Sequence, residues 1–335
     1  MSHWKETAEI LSRVAGLLAA GRRAALATVV RISGSAYRRP GAKFLIEESG
    51  DSLGSVSGGC LEADVREVAK AVLASGTPTL RRYSTGTDED VVWGLGLGCN
   101  GLVDVFIQPA TEGPLADQAE RLRELLAGDA PFAIATVIGG EDLGTVSLRE
   151  QTTDRTGVLR ASDRETFVEG LLPPPHLIVC GAGDDARPLA AYAADTGFRV
   201  TVVDHRPALL EPERFPQAAR LVLARAQEPI ELPPADRSLA VVKTHSLAHD
   251  QAWVQRLLAA GLPYVGILGP RARTESILRE IGAPDSERVF GPVGLDLGAD
   301  GPRQVALSIV AELLAFTARR QPRHLCERQE AIHAV

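Results

Sequence analysis

His176-Leu177-Ile178-Val179-Cys180-Gly181-Ala182-Gly183-Asp184-Asp185-Ala186 reads as a buried strand, a tight glycine turn and the start of a helix. The turn has the pattern G-x-G-x-x-A. Gly181 permits the sharp bend, Gly183 lets backbone approach a pyrophosphate, and Ala186 lets helix and strand pack closely. Phosphate oxygens would then meet the free N–H groups at the helix start. Asp204 ends the next strand about 20 residues on, where a carboxylate accepts from a ribose hydroxyl. A glycine fingerprint alone is a weak signal, but strand, turn, helix, second strand and acid in this order specify a Rossmann-type fold. Whether it holds a ligand is a separate matter. Asp184 and Asp185 put two carboxylates at the anion site, where each stabilises the helix start by about 0.3–1 kcal/mol but repels a pyrophosphate. Two readings therefore stand. Gly181, Gly183 and Asp204 bind NAD(P) or another nucleotide, or the domain is a scaffold kept for packing and docking.

Outward from this stretch, strands and helices alternate. Strands are expected at 199–204, 221–224, 239–244 and 264–268, and helices at 186–196, about 251–260 and about 274–281, with a last helix over about 303–318. That alternation implies a parallel, doubly wound sheet. On the N-terminal side, Leu171-Leu172-Pro173-Pro174-Pro175 is a stiff proline linker. The chain thus divides into an N-terminal domain over 1–170, the linker 171–175, the Rossmann-type domain 176–318 and a polar tail 319–335 expected to pack poorly. At 335 residues it is too long for one ordinary core.

The N-terminal domain opens with a helix from about Trp4 to Ala20, whose Ile10, Leu11, Val14, Leu17 and Leu18 share a face, and a strand from Ala25 to Ile32. It also contains a worn internal repeat. Ala25-Leu-Ala-Thr-Val29 recurs as Ala133-Ile-Ala-Thr-Val137. Leu45-x-Glu47-x-x-x-Asp51-x-x-Gly54 recurs as Leu148-x-Glu150-x-x-x-Asp154-x-x-Gly157 with the same internal spacing. Two patterns recurring in one order favour duplication over coincidence. The fold class that follows is α/β: an N-terminal α/β domain with a degenerate internal repeat, then a doubly wound parallel sheet.

Only the first copy is followed by Ser55-Val56-Ser57-Gly58-Gly59-Cys60-Leu61-Glu62. A cysteine after two glycines and before a helical stretch has its thiolate favoured by the helix N-terminus, and the glycines leave the sulfur open to a bulky partner. Upstream, Ser33-Gly34-Ser35-Ala36-Tyr37-Arg38-Arg39-Pro40-Gly41 combines amides, hydroxyls and guanidinium groups that suit a phosphate. Trp93-Gly94-Leu-Gly96-Leu-Gly98-Cys99-Asn100-Gly101 is a second glycine-rich loop ending in a cysteine. A soft metal could use both Cys60 and Cys99, but no nearby residue completes a zinc site. Cys180 and Cys326 read as structural or incidental. His245 and His249 are four apart, yet straddle a strand end and a helix start; a loop role for His245 and a capping role for Asp250 outweigh a metal site.

The net charge of −7 with no long basic tract argues against a nucleic-acid partner. No apolar run reaches the roughly 18 to 20 residues that span a bilayer. Lys5, Glu6 and Glu9 make the N-terminus unlike a signal peptide, and four scattered cysteines suggest no disulfide framework. The cytoplasm fits these features.

Ala27-Thr-Val-Val-Arg31-x-Ser33-Gly34-Ser35-Ala-Tyr37-Arg38-Arg39-Pro40-Gly41, Ser57-Gly58-Gly59-Cys60-Leu61-Glu62 and Gly94-Leu-Gly96-Leu-Gly98-Cys99 resemble the N-terminal domain of XdhC/CoxI proteins, the accessory factors of xanthine and carbon monoxide dehydrogenases. The second half is similar too, through Gly181-Ala-Gly183-x-x-Ala186-Arg187-Pro188, Val200-Thr-Val-Val-Asp204-x-Arg206-Pro207, Arg214-Phe215-Pro216, Thr244-His245 and Gly294-Leu-Asp296. The resemblance implies a chaperone that binds molybdenum cofactor (molybdopterin), protects it during terminal sulfuration and inserts it into an apo molybdenum hydroxylase. It also implies a cysteine desulfurase as sulfur donor, a homodimer, and no turnover of its own. In such proteins the cysteine of S-G-G-C, here Cys60, is implicated in holding the cofactor and would contact molybdenum; Ser57, Gly58, Gly59, Ser33, Gly34, Ser35, Arg38 and Cys99 surround it in the expected site. Asp184, Asn100 and Pro270 depart from the family, which commonly has histidine, glycine and serine there. Two other readings remain: an NAD(P)-dependent oxidoreductase, resting on the fold alone without a Tyr-x-x-x-Lys pair, and a sulfurtransferase carrying persulfide on Cys60.

Overall fold

A computed structural model of the chain describes residues 3–34, 36–84, 101–150 and 156–328. It divides into two compact units, with the break between Pro173 and Pro174.

In the first unit, α1 (Trp4–Ala19) buries Ile10, Leu11, Val14 and Leu17 at helical spacing, and the Trp4 indole donates to the Leu126 carbonyl at 3.2 Å. Then come β1 (Ala24–Gly34), β2 (Lys43–Glu47), β3 (Ser52–Gly54), α2 (Glu62–Ser75), β4 (Thr79–Ser84) and β5 (Gly101–Pro109). After α3 (Gly113–Asp117) and α4 (Ala119–Ala127) follow β6 (Phe132–Gly139), β7 (Val146–Arg149), β8 (Gly157–Ala161) and β9 (Arg164–Leu171). Leu171, expected to open the linker, is the fully buried last residue of β9.

The strands form two antiparallel sheets, ordered β3-β2-β1-β5-β4 and β7-β6-β9-β8. The repeat is present in their register. Leu26 lies opposite Leu45 and Gln108; its counterpart Ile134 lies opposite Leu148 and Glu169. Both central strands then slip at the same point, between Val29 and Arg31 in one and Val137 and Gly139 in the other. The extra residue at each bulge, Val30 or Ile138, turns inward and joins Phe106 and Phe167 in one apolar cluster. Each bulge is closed alike: the Gly41 N–H donates to Val29 O at 2.8 Å and the Gly144 N–H to Val137 O at 2.9 Å. Both glycines need positive φ, 101° and 86°. Leu26 and Ile134 share a second cluster with α1 and α4, so corresponding faces of the two sheets enclose a common core.

Into that core the chain places one charged pair. Lys43 Nζ lies 2.5 and 2.7 Å from the Glu169 carboxylate and 3.0 Å from Gly41 O, with both side chains almost wholly buried. The copies differ outside it. The first carries a longer β1–β2 connection and α2, whose Val65, Ala69 and Val72 cover the outer face of its sheet, against Ala25, Ala27, Val29, Phe44 and Val105. Burial of each large side chain there stabilises by about 1.5–3 kcal/mol.

The second unit contains β10 (His176–Cys180), α5 (Ala186–Asp195), β11 (Arg199–Asp204), β12 (Arg220–Leu223), β13 (Ser238–Val242), α6 (Leu247–Ala259), β14 (Tyr264–Ile267), α7 (Arg271–Glu280), β15 (Val289–Phe290) and α8 (Gly301–Thr317). The sheet is parallel throughout and ordered β12-β11-β10-β13-β14-β15. Strand order reverses between β10 and β13, the switch point of a Rossmann sheet. The strands and helices expected from the sequence are present within a few residues. The short edge strand β15 was not anticipated; its Phe290 stacks on Tyr264 at 4.3 Å. Among the described residues no helix is long and apolar enough to cross a membrane.

Candidate functional site

The S-G-G-C segment leaves β3 and leads into α2. Ser57 is the keystone of the turn. Its hydroxyl accepts from the N–H groups of Gly59 and Leu61, both at 3.1 Å, and donates to the Glu62 carboxylate. Glu62 in return accepts the Ser57 N–H at 2.9 Å and the Ser55 hydroxyl at 2.8 Å. This reciprocal arrangement ties the turn to the first residue of α2. Burial pushes the Glu62 carboxyl up, but the hydroxyls of Ser57 and Ser55 and the Ser57 N–H outweigh it and hold the group below the usual carboxylate range. Glu62 is therefore a fixed anion that ties the turn, a role the sequence reading missed. Its signal was a serine and a glutamate flanking a helix start at wider separation than usual.

Gly59 takes φ 109°, which lets the chain double back and set Cys60 just before the α2 N-terminus. Cys60 is half-buried, packed on the edge of the apolar cluster beneath α2, while Gly58 and Gly59 are exposed. A Cβ added to Gly58 would stand 3.7 Å from the Tyr37 ring, so the β1–β2 connection lies directly beside the turn. Ser33 and Gly34 are exposed at the end of β1, opposite Leu102 and Gly101. Arg38 points elsewhere: its guanidinium grips Glu6 of α1 at 2.5–2.6 Å. That contact anchors the connection to α1 and neutralises the charge. Ser35, Cys99 and the 93–100 glycine loop lie outside the described residues.

In the Rossmann unit Gly181 is required sterically. It has φ 116°, and a Cβ there would sit 2.5 Å from the Lys243 carbonyl. Asp204, expected to await a ribose hydroxyl, is fully engaged. It accepts the Ala182 N–H at 2.7 Å, the Arg206 N–H and Nε at 2.9 Å, and Arg206 Nη2 at 2.8 Å. Asp184 is exposed and turned toward Arg214, 3.0 Å away. Asp185 instead turns inward to the buried Lys243 at 2.5 Å and to His245 at 3.0 Å. His245 sits in a loop with φ 61°. Asp250, in the first turn of α6, accepts from Thr244 N–H and hydroxyl and from Arg273. His249 packs edge-on against His205, and no group of metal-ligating side chains forms among the described residues.

Asp204 also yields a pH expectation. Burial raises its carboxyl, but hydrogen bonds from Arg206 and the Ala182 N–H, with the Arg206 charge, lower it from 3.8 to about 2. A depressed folded value stabilises above the unfolded value and is lost as pH falls toward the folded one. The loss of roughly 2 kcal/mol should fall between pH 4 and pH 2. Urea unfolding across that range should show Asp204→Asn less stable than the parent near neutrality and flatter below pH 4.

Comparison with known proteins places this geometry. The model described as the XdhC and CoxI family matches residues 17–84, and the XdhC Rossmann domain matches 177–313. A Bacillus subtilis protein named as a probable subunit of xanthine dehydrogenase is 36% identical over 321 residues, covering 90% of this chain and 96% of that one. The chain belongs to the XdhC and CoxI family. Another relative is the Escherichia coli molybdenum cofactor insertion chaperone PaoD, 28% identical over 91% of this chain and 86% of its own length. A Bacillus halodurans crystal structure described as a xanthine dehydrogenase matches with TM-score 0.79 and 30% identity, covering 96% of this chain and 97% of its own. Of the two stretches matched by the family models, the first includes the S-G-G-C turn and the second the glycine turn.

Proposed function

We propose that the chain is a molybdenum cofactor chaperone: it receives the cofactor at the S-G-G-C turn, keeps it during sulfuration and passes it to an apo molybdenum hydroxylase of the xanthine or carbon monoxide dehydrogenase type. The observation that carries this reading is the Cys60 setting. The Cys60 sulfur is a soft ligand suited to molybdenum, it stands half-buried just before α2, and the exposed, side-chain-free Gly58 and Gly59 beside it leave room for a bulky cargo. Tyr37 offers an exposed aromatic face next to the same turn, and the Ser33–Gly34 end of β1 supplies polar groups for a phosphate. Family membership with PaoD supports the same assignment. A cysteine desulfurase as sulfur donor, a homodimeric state and a cytoplasmic location complete the proposal. The oxidoreductase reading gains no support from an Asp204 already engaged by Arg206.

The test is Cys60→Ala, purified from a cofactor-producing host and assayed for molybdenum and pterin fluorescence. Retention should fall at least about tenfold. The thermal midpoint should barely move, because a half-buried residue at the edge of a cluster contributes within about 1 kcal/mol. Equal cofactor content in variant and parent would remove Cys60 from the site. A persulfide on the parent Cys60, seen by mass spectrometry, would instead favour the sulfur-carrier reading.

A further inference from the structure

Tyr37 is 73% exposed, more than any other large hydrophobic side chain of the described residues, and no other aromatic among them is exposed. Its neighbours fix it there. Ala36 is drawn inward and packs, like Cys60, on the edge of the cluster beneath α2. Arg38 is drawn onto Glu6 of α1, which also accepts the Lys43 N–H at 3.3 Å. Between two anchored neighbours the Tyr37 ring is left outside. Its base rests beside the S-G-G-C turn: a Cβ on Gly58 would stand 3.7 Å from Tyr37 Cγ and 3.8 Å from Cδ1, and a Cβ on Gly59 would meet nothing beyond its chain neighbours within 4 Å. No side chain therefore comes from either glycine to cover the ring. The two steps of chain from Gly58 to Cys60 span about 7 Å at most, so ring, bare turn and thiol make one open shelf. The shelf belongs to the first copy alone, for the corresponding connection of the second, 140–145, carries no aromatic residue.

We propose that Tyr37 is a stacking subsite for a planar fused heterocycle, here the pterin ring of the cargo; the identity of that ring rests on the cofactor role proposed above. The cargo then lies in one direction, with its ring on the Tyr37 face and its metal end toward Cys60. An aromatic face attracts a conjugated heterocycle through the ring itself, with little regard to its substituents. Tyr37 thus keeps its hold on the pterin while the ligands of the metal change during sulfuration, a stage at which a grip through the metal alone is weakest. Arg38 acts as a positioning residue: its pair with Glu6 fixes the backbone beside the ring and does not meet the cargo.

Fluorescence titration of the full chain with pterin-6-carboxylate, a metal-free probe, tests this. The parent should quench the probe's emission saturably, the mark of ring-on-ring contact. Tyr37→Leu should weaken binding by about tenfold or more, the loss of one stacked ring. Tyr37→Phe should stay within about threefold of the parent, because the ring and not the hydroxyl makes the contact. Both variants replace an exposed side chain, so their thermal midpoints should match the parent. In protein purified from a cofactor-producing host, pterin content should follow the same order. The proposal is overturned if the parent shows no saturable quench, if Tyr37→Leu, folded by circular dichroism, binds the probe as the parent does, or if Tyr37→Phe loses as much as Tyr37→Leu. The probe carries no metal for Cys60 to hold. Failure of the cofactor role, seen as unchanged molybdenum content in Cys60→Ala, is therefore read separately from failure of the stacking subsite.

Discussion

Deleting this chain from a host that relies on a molybdenum hydroxylase is expected to leave that enzyme synthesised and assembled but inactive, with molybdenum or its terminal sulfur missing. The expectation follows from where the chemistry of the first unit is concentrated. Its one partly exposed described thiol stands at a helix start, beside glycines and an aromatic ring, and the carboxylate of the same turn, Glu62, is committed to three hydrogen bonds within it. Such a turn can hold a cargo. Loss of a carrier removes delivery, not the client's polypeptide. Activity should therefore fall by well over tenfold while the amount of assembled hydroxylase stays near normal, and a complementing copy bearing Cys60→Ala should fail to restore it. Hydroxylase activity, molybdenum content and cyanide-releasable sulfur measured in the deletion strain check this. A fully active, fully loaded hydroxylase in that strain would assign the chain to another client, and turnover with NAD(P) by the purified chain would revive the oxidoreductase reading.

The second large effect concerns stability. Glu169→Gln should destabilise the first unit by about 3–5 kcal/mol, because it leaves the Lys43 ammonium in the core with neutral acceptors and no counter-charge. Lys43→Met should cost somewhat less, since an isolated Glu169 can take up a proton. The repeat indicates how the loss is undone. At the corresponding places in the other half of the core stand Val146 and Gln108, both uncharged, opposite Thr136 and Leu26. A neutral pair is thus compatible with this packing, and Lys43→Met with Glu169→Gln should recover most of the single-variant loss. Urea unfolding of the four proteins at pH 7 completes the double-mutant cycle. A double variant as unstable as the sum of its singles would mean that the ion pair holds the sheets by geometry, not by mutual neutralisation.

Much of the second unit was legible because each of its signals is local. A strand, Gly181, a helix and an acid about 20 residues on are read within one short window, and the close approach of Gly181 to the Lys243 carbonyl gives the glycine its reason. The duplication in the first unit was legible from two short patterns, although nothing in them announced that the halves would share one core. What could not be read was the partner of each charged side chain. Arg38 looked like a phosphate ligand because guanidinium groups suit phosphates; it pairs with Glu6, 32 positions away and on another element. Asp204 looked free for the same kind of reason, yet Arg206, only two residues on, folds back over it. Asp184 and Asp185 are adjacent and chemically alike, but the helix start turns one outward and the other onto Lys243. Long-range contacts and rotamer choice decide such questions, and neither is written in spacing.

The matched registers of β1 and β6 set the chain a problem of self-recognition during its own synthesis. Over Ala25–Val29 and Ala133–Val137 the two strands carry almost the same residues in the same register, so this segment of either could enter the other's ladder with Leu26 or Ile134 still opposite a leucine. Order of emergence resolves the ambiguity. Each strand is joined to its first partner by a short connection, 35–42 in one half and 140–145 in the other, and short loops close first because they cost the least entropy. β2 and β5 both precede β6 in the chain, so during synthesis β1 meets its own two partners before β6 emerges. Refolding from denaturant offers no such head start. The full-length chain released all at once should partition into exchanged-strand species, including intertwined pairs of molecules, that vectorial synthesis avoids.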